Sequence, residues 1–108
     1  MIYMAKTMKK KIMKTREEIL RILAREKPEL QRLYTVQKMA LFGSYARGEQ
    51  TAGSDVDILV EVDPCIGLKF VSLAEQIEKL LGLRVDLVST RAVKPGRLKV
   101  IERELIHV

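Results

Sequence analysis

The chain has 108 residues and a net charge of +6, with 47% of its positions apolar and 31% charged. This is the balance of a soluble globular protein; it excludes a disordered chain, and the length suits one domain with a modest core. A single cysteine, Cys65, excludes an internal disulfide and points to a reducing cytoplasm, and no stretch approaches the ~18 apolar residues of a membrane span.

In chain order, residues 1–14 (MIYMAKTMKKKIMK) read as a basic N-terminal tail without a clean period. No apolar h-region follows the basic start, so a secretory signal is not expected. Thr15 with Glu18 has the spacing of a capping box, and Ile19, Leu20, Ile22 and Leu23 form the apolar stripe of an amphipathic helix. Pro28 is expected to end or kink that helix, with a further turn or two beginning at the proline. Val36–Phe42 reads as a strand, Ser44–Gly48 as one or two helical turns, Glu49–Ser54 as a polar loop, and Val56–Val62 as a second strand stopped by Asp63-Pro64. Residues 68–81 repeat apolar positions at helical spacing and are closed by Gly82. Arg84–Ser89 is a third strand, Pro95–Leu105 a last helix, and Ile106–Val108 a short terminal strand. The alternation predicts an α/β domain over residues 15–108, a small sheet with helices packed on it.

Charge is unevenly placed. Residues 1–38 hold eleven Lys and Arg against four Glu, whereas residues 39–66 hold one Arg against five acids. The acidic centre carries the chemistry. Strand side chains alternate, so Asp55 and Asp57 project together at the start of the second strand, on the face opposite Val56 and Ile58. Asp86 lies between Val85 and Leu87 in the third strand, where a lone buried carboxylate is costly unless paired or bound to a metal. If the second and third strands are neighbours, the three carboxylates form one triad. With no His or Cys cluster nearby, such a triad favours a hard cation, Mg²⁺ or Mn²⁺, and two such ions are the usual clamp for phosphoryl transfer. If the first two strands are antiparallel neighbours, Gly43-Ser44 faces the acids. The glycine lets a phosphate approach the backbone, and a helix beginning there offers free N–H groups. Arg47 is a candidate phosphate ligand or a structural ion pair.

Gly43-Ser44, ten residues, then Asp55-Val56-Asp57 resembles the signature of the DNA polymerase β-type nucleotidyltransferase superfamily. The text ALFGSYARGEQTAGSDVDILVEVD is similar to its smallest branch, the minimal nucleotidyltransferases, and RVDLVSTRAVKPGRLKVIERELIHV to that branch's C-terminal stretch. The resemblance covers residues ~15–108 and implies a polymerase β-like fold. It also implies an antitoxin that transfers AMP from ATP to a tyrosine hydroxyl of a HEPN-domain toxin, in the manner of a type VII pair. Asp55, Asp57 and Asp86 would be the catalytic and metal-binding residues, and Gly43, Ser44 and Arg47 would hold the nucleotide. The acceptor site would be shared with the partner, in a homo- or hetero-oligomer. Two other readings belong to different classes. One is a catalytically silent relative that neutralises its partner by covering it. The other is a nucleic-acid-binding protein, suggested by the basic N-terminus and disfavoured by the few aromatics, three Tyr, two Phe and no Trp. Cys65 and His107 read as surface residues.

Overall fold

The computed structural model describes residues 14–108, so the basic tail expected over residues 1–14 lies almost wholly outside the described residues. Helix α1 spans Arg16–Tyr34. Its start is the expected capping box: Thr15 Oγ1 accepts the Glu18 N–H at 3.1 Å, and the Thr15 N–H donates to Glu18 Oε1 at 2.8 Å. Pro28 does not end the helix. It lies inside α1, and both Pro28 and Ala24, whose carbonyl loses its helical partner, are exposed, so water replaces the missing bond. A proline in a helix interior costs ~3 kcal/mol. Ile19, Leu23 and Leu30 are each buried in the core, and each such burial is worth ~1.5–3 kcal/mol, so the continuous stripe outweighs the break.

Strand β1 (Val36–Phe42) leads into the short helix α2 (Gly43–Arg47); β2 follows at Val56–Val62. A 3-10 turn at Pro64–Ile66 precedes α3 (Lys69–Leu81), whose end is capped by the Gly82 N–H on Glu78 O at 2.7 Å. Strand β3 (Val85–Ser89), a second 3-10 turn (Thr90–Ala92), α4 (Pro95–Glu102) and β4 (Ile106–His107) complete the chain. The expected last helix therefore stops at Glu102 rather than Leu105, which leaves Glu104 in the turn before β4.

The four strands form one mixed sheet in the order β3-β2-β1-β4. β1 is antiparallel to β2 and to β4, and β2 is parallel to β3, the two being joined through α3. The α/β class with a small mixed sheet is as expected. The two sheet faces differ. Val56, Ile58 and Val60 face α1 and α3 and meet Leu23, Leu73 and Ile77 in the main core. The opposite face carries a smaller cluster of Phe42, Leu59 and Ile101, with Val88, Leu98 and Leu105 packed against it beneath α4. By strand alternation, Asp57 and Asp86 belong to this second, thinly covered face.

Candidate active site

The register of the sheet builds the site. Asp57 is the Cα partner of Phe42 across β1 and of Asp86 across β3. Both conditional expectations from the sequence therefore hold: β1 and β2 are antiparallel neighbours, and β3 lies beside β2. The end of β1 reaches the start of β2, and Gly43 sits against Asp57. Gly43 has a φ of 76°, a conformation side-chain-bearing residues rarely adopt, and a Cβ there would overlap the Asp57 carboxylate. The glycine is thus required twice, by its backbone and by the acid resting on it.

Helix α2 is held from behind. Tyr45 and Ala46 are buried in the main core, and Arg16 Nη1 donates to the Ala46 carbonyl at 2.8 Å. Ser44 and Arg47, three residues apart, are left on the side that lines a cavity of about 870 Å³. Asp57 and Asp86 line the same cavity.

Asp86 departs from expectation in one respect. It is exposed rather than buried, because β3 is an edge strand and its acid opens onto the cavity. Asp57 is the enclosed member. Its carboxyl is pushed up to about 6, first by burial, then by the negative charge of Asp86 and Asp55; Arg47 opposes the shift and Glu104 adds to it. Asp55 lies one residue before β2 and is exposed; Arg84 Nε approaches its Oδ1 at 3.0 Å. Arg84 also donates to the Gly53 carbonyl at 3.1 Å, which fastens the loop entering β2.

Among the described residues, no three His, Cys, Asp or Glu side chains converge closely enough to hold a metal ion. The donor chemistry still suits a hard divalent cation. Asp57 and Asp86 are register partners and all three donors are carboxylates, so a cation bound there would relieve their mutual repulsion. For Asp55, a cation competes with Arg84.

Arg47 is engaged. Its Nε donates to Glu49 Oε1 at 2.9 Å, and its Nη1 to the two oxygens of Glu104 at 2.9 and 3.1 Å. Glu104 Oε2 also accepts the Gly43 N–H at 2.7 Å. Sequence reasoning does not find Glu104, since it lies 61 positions from Gly43 in a turn without a motif. It also misses Lys94 and Arg97, which line the cavity from α4. Lys94 caps α4 and Arg97 lies in its first turn, along the same stripe as Leu98 and Ile101, so they carry no separate polar face to mark them in the sequence.

The family model described as a nucleotidyltransferase domain matches residues 12–108. The protein adenylyltransferase MntA of Thermococcus cleftensis is 47% identical over 97 residues, covering 89% of this chain and 98% of its own length. A solved structure assigned to the minimal nucleotidyltransferases superposes with a TM-score of 0.63 at 36% identity, covering 84% of this chain and 86% of that one. A solved toxin–antitoxin structure with AMP-PNP superposes with a TM-score of 0.62 at 26% identity, covering 85% of this chain and 70% of that one.

Proposed function

The chain belongs to the nucleotidyltransferase domain family, in its minimal branch and with its polymerase β-like fold, and on that premise we propose that it transfers AMP from ATP to a hydroxyl of a HEPN-type toxin and so acts as the antitoxin of a pair. The observation that carries this reading is the Asp57 carboxylate seated on Gly43 at the mouth of a cavity, with Asp86 beside it in register. The likeness to an adenylyltransferase across nearly the whole of both chains supports AMP as the transferred group.

In this reading the cavity takes ATP with its α-phosphate over Asp57 and Asp86. The Ser44 hydroxyl donates to a phosphate oxygen, Gly43 lets the triphosphate approach the backbone, and Arg47 bounds the same side. The acceptor hydroxyl, a tyrosine of the toxin, enters beside the exposed Asp86, which takes its proton. The acceptor oxygen forms a bond to the α-phosphorus as the bond from that phosphorus to the bridging oxygen breaks, and pyrophosphate leaves. Asp55, Asp57 and Asp86 would hold the divalent cations, and Mg²⁺ or Mn²⁺, when bound, supplies the charge neutralisation that lets a triphosphate lie against carboxylates. Residues 15–108 make up this catalytic unit, and the toxin completes the acceptor side. No helix among the described residues is long and apolar enough to cross a membrane, and the cytoplasm, where ATP is available, is the setting the reaction implies.

The test is label transfer. The full chain, purified with its toxin, is incubated with Mg²⁺ and ATP labelled on the α-phosphate. Label is expected on a toxin tyrosine. One charge-assisted hydrogen bond is worth ~1.5–3 kcal/mol, or roughly 10–200-fold, so Ser44→Ala should slow transfer within that range. Asp57→Ala should end it. If Asp57→Ala still neutralised the toxin while label never appeared, the chain would be a covering module rather than a transferase.

A further inference from the structure

The cavity has two candidate sources of positive charge, and among the described residues only one is free. Arg47 is balanced by Glu49 and Glu104, and the Gly43 N–H, which has one proton to give, already donates to Glu104. The residues that sequence alone suggests for the phosphates are therefore largely committed within the protein. Lys94 and Arg97, which line the same cavity, are exposed, and neither takes part in an ion pair or a side-chain hydrogen bond among the described residues. They lie three apart at the start of α4, hence on one side of it. Leu98 and Ile101 follow them four residues on, along the same stripe, and Ile101, only 6% exposed, seats that stripe on the sheet, so the two cations stand at its edge on the lining of the cavity that also holds Asp57 and Asp86.

We infer that Lys94 and Arg97 bind the outer phosphates of the nucleotide, so that α4, rather than Arg47, supplies the cations of the protein. This rests on the nucleotidyltransferase reading above and assigns the triphosphate end of that site. The argument is one of complementarity. Asp57 and Asp86 repel a polyanion, and unpaired cations on the lining of the same cavity attract its distal phosphates. The guanidinium of Arg97 offers a planar fork to phosphate oxygens, and Lys94 a compact charge. The pair formed by Arg47 and Glu104 then has a positioning role, tying α2 to the turn that follows α4.

The experiment compares the full chain with a Lys94→Ala, Arg97→Ala double variant in steady-state AMP transfer to the toxin, with KM measured separately for ATP and for the toxin. The KM for ATP should rise about a hundredfold, roughly tenfold for each cation removed, with kcat and the KM for toxin changing less than about threefold. Both side chains are exposed, so the melting temperature should not move. Lys94→Arg with Arg97→Lys, which keeps both charges, should recover most of the ATP affinity. A KM for ATP within about twofold of the unaltered chain overturns the assignment, as does a rise confined to the KM for toxin, which would make these cations part of the partner's docking surface. Asp57→Asn, run alongside, separates the two questions. Transfer surviving in that variant overturns the site itself; transfer lost there, with the α4 variant at full ATP affinity, overturns only the role of α4.

Discussion

Gly43 and Asp57 are packed so closely that a Cβ on the first would overlap the carboxylate of the second, and each constrains what the other can be. Adding one methyl group at Gly43 combines a left-handed backbone, worth ~1–2 kcal/mol against any other residue, with a collision against the Asp57 carboxylate. Gly43→Ala should therefore lower the unfolding midpoint in urea and abolish transfer, whereas Gly53→Ala, in open space on the neighbouring loop, should change neither. Asp57 supplies a pH signature. Its folded carboxyl titrates at about 6, above the ordinary 3.8, so the folded state holds this proton more tightly than the unfolded state does. Protonation stabilises the fold fully below the ordinary value, and that contribution is lost as pH rises through about 6. Asp57→Asn cannot ionise. Without metal, it should melt like the unaltered chain near pH 4 and several degrees higher at about pH 7. A difference in melting temperature that stayed constant with pH would remove the charge explanation. Asp86 is exposed, contrary to the buried acid its apolar neighbours suggest.

Among the elements, α1 shows how packing overrules a local signal. Periodicity locates its start and its stripe, and proline chemistry argues for an end at residue 28. The helix runs on because Leu30 falls on the same buried stripe as Leu23, one heptad earlier, and the unpaired carbonyl of Ala24 faces water. Pro28 is thus a tolerated cost. Pro28→Ala should stabilise the protein by up to ~3 kcal/mol in chemical denaturation without altering transfer, as Pro28 is exposed and lies more than three turns from Arg16, which holds the Ala46 carbonyl. Loss of stability instead would mean that Pro28 sets a bend the core requires. The last helix gives the complementary lesson. Its predicted end at Leu105 overruns by three residues, and the overrun hides Glu104, which in a turn can reach back to both Gly43 and Arg47.

The whole molecule is unequal about its sheet. One face is covered by two long helices and the larger core, the other by the eight-residue α4 over a cluster of three buried side chains. The site lies on the second face. Segments with few buried contacts open at lower free energy than the core. Amide hydrogen exchange should therefore be faster in α4 than in β1, β2 and α3, with α4 opening as a unit, and ATP with Mg²⁺ should slow it. Uniform protection across all elements would mean that α4 is as firmly docked as the rest. Ile77→Ala in the larger core should cost ~2–5 kcal/mol of global stability, and Ile101→Ala should act chiefly by loosening α4.

The sequence by itself located the three acids and the Gly43-Ser44 pair proposed for the chemistry, and the elements that carry them. Strand alternation put Asp55 and Asp57 opposite Val56 and Ile58, the capping box marked the start of α1, and the spacing from Gly43-Ser44 to Asp55 and Asp57 carried the family resemblance. These are local properties: periods, caps and turns depend on neighbours a few positions away. Only the tertiary structure decided which of the acids meet. Asp57 faces Asp86 because β3 crosses back parallel to β2, and it meets Gly43 because β1 runs antiparallel on the other side. It also decided that Arg84 takes Asp55, that Glu104 takes Arg47, and that Lys94 and Arg97 line the same cavity as Asp57 and Asp86. Those pairings join residues 14 to 57 positions apart, and their partners are chosen by sheet order and register, which no local pattern encodes.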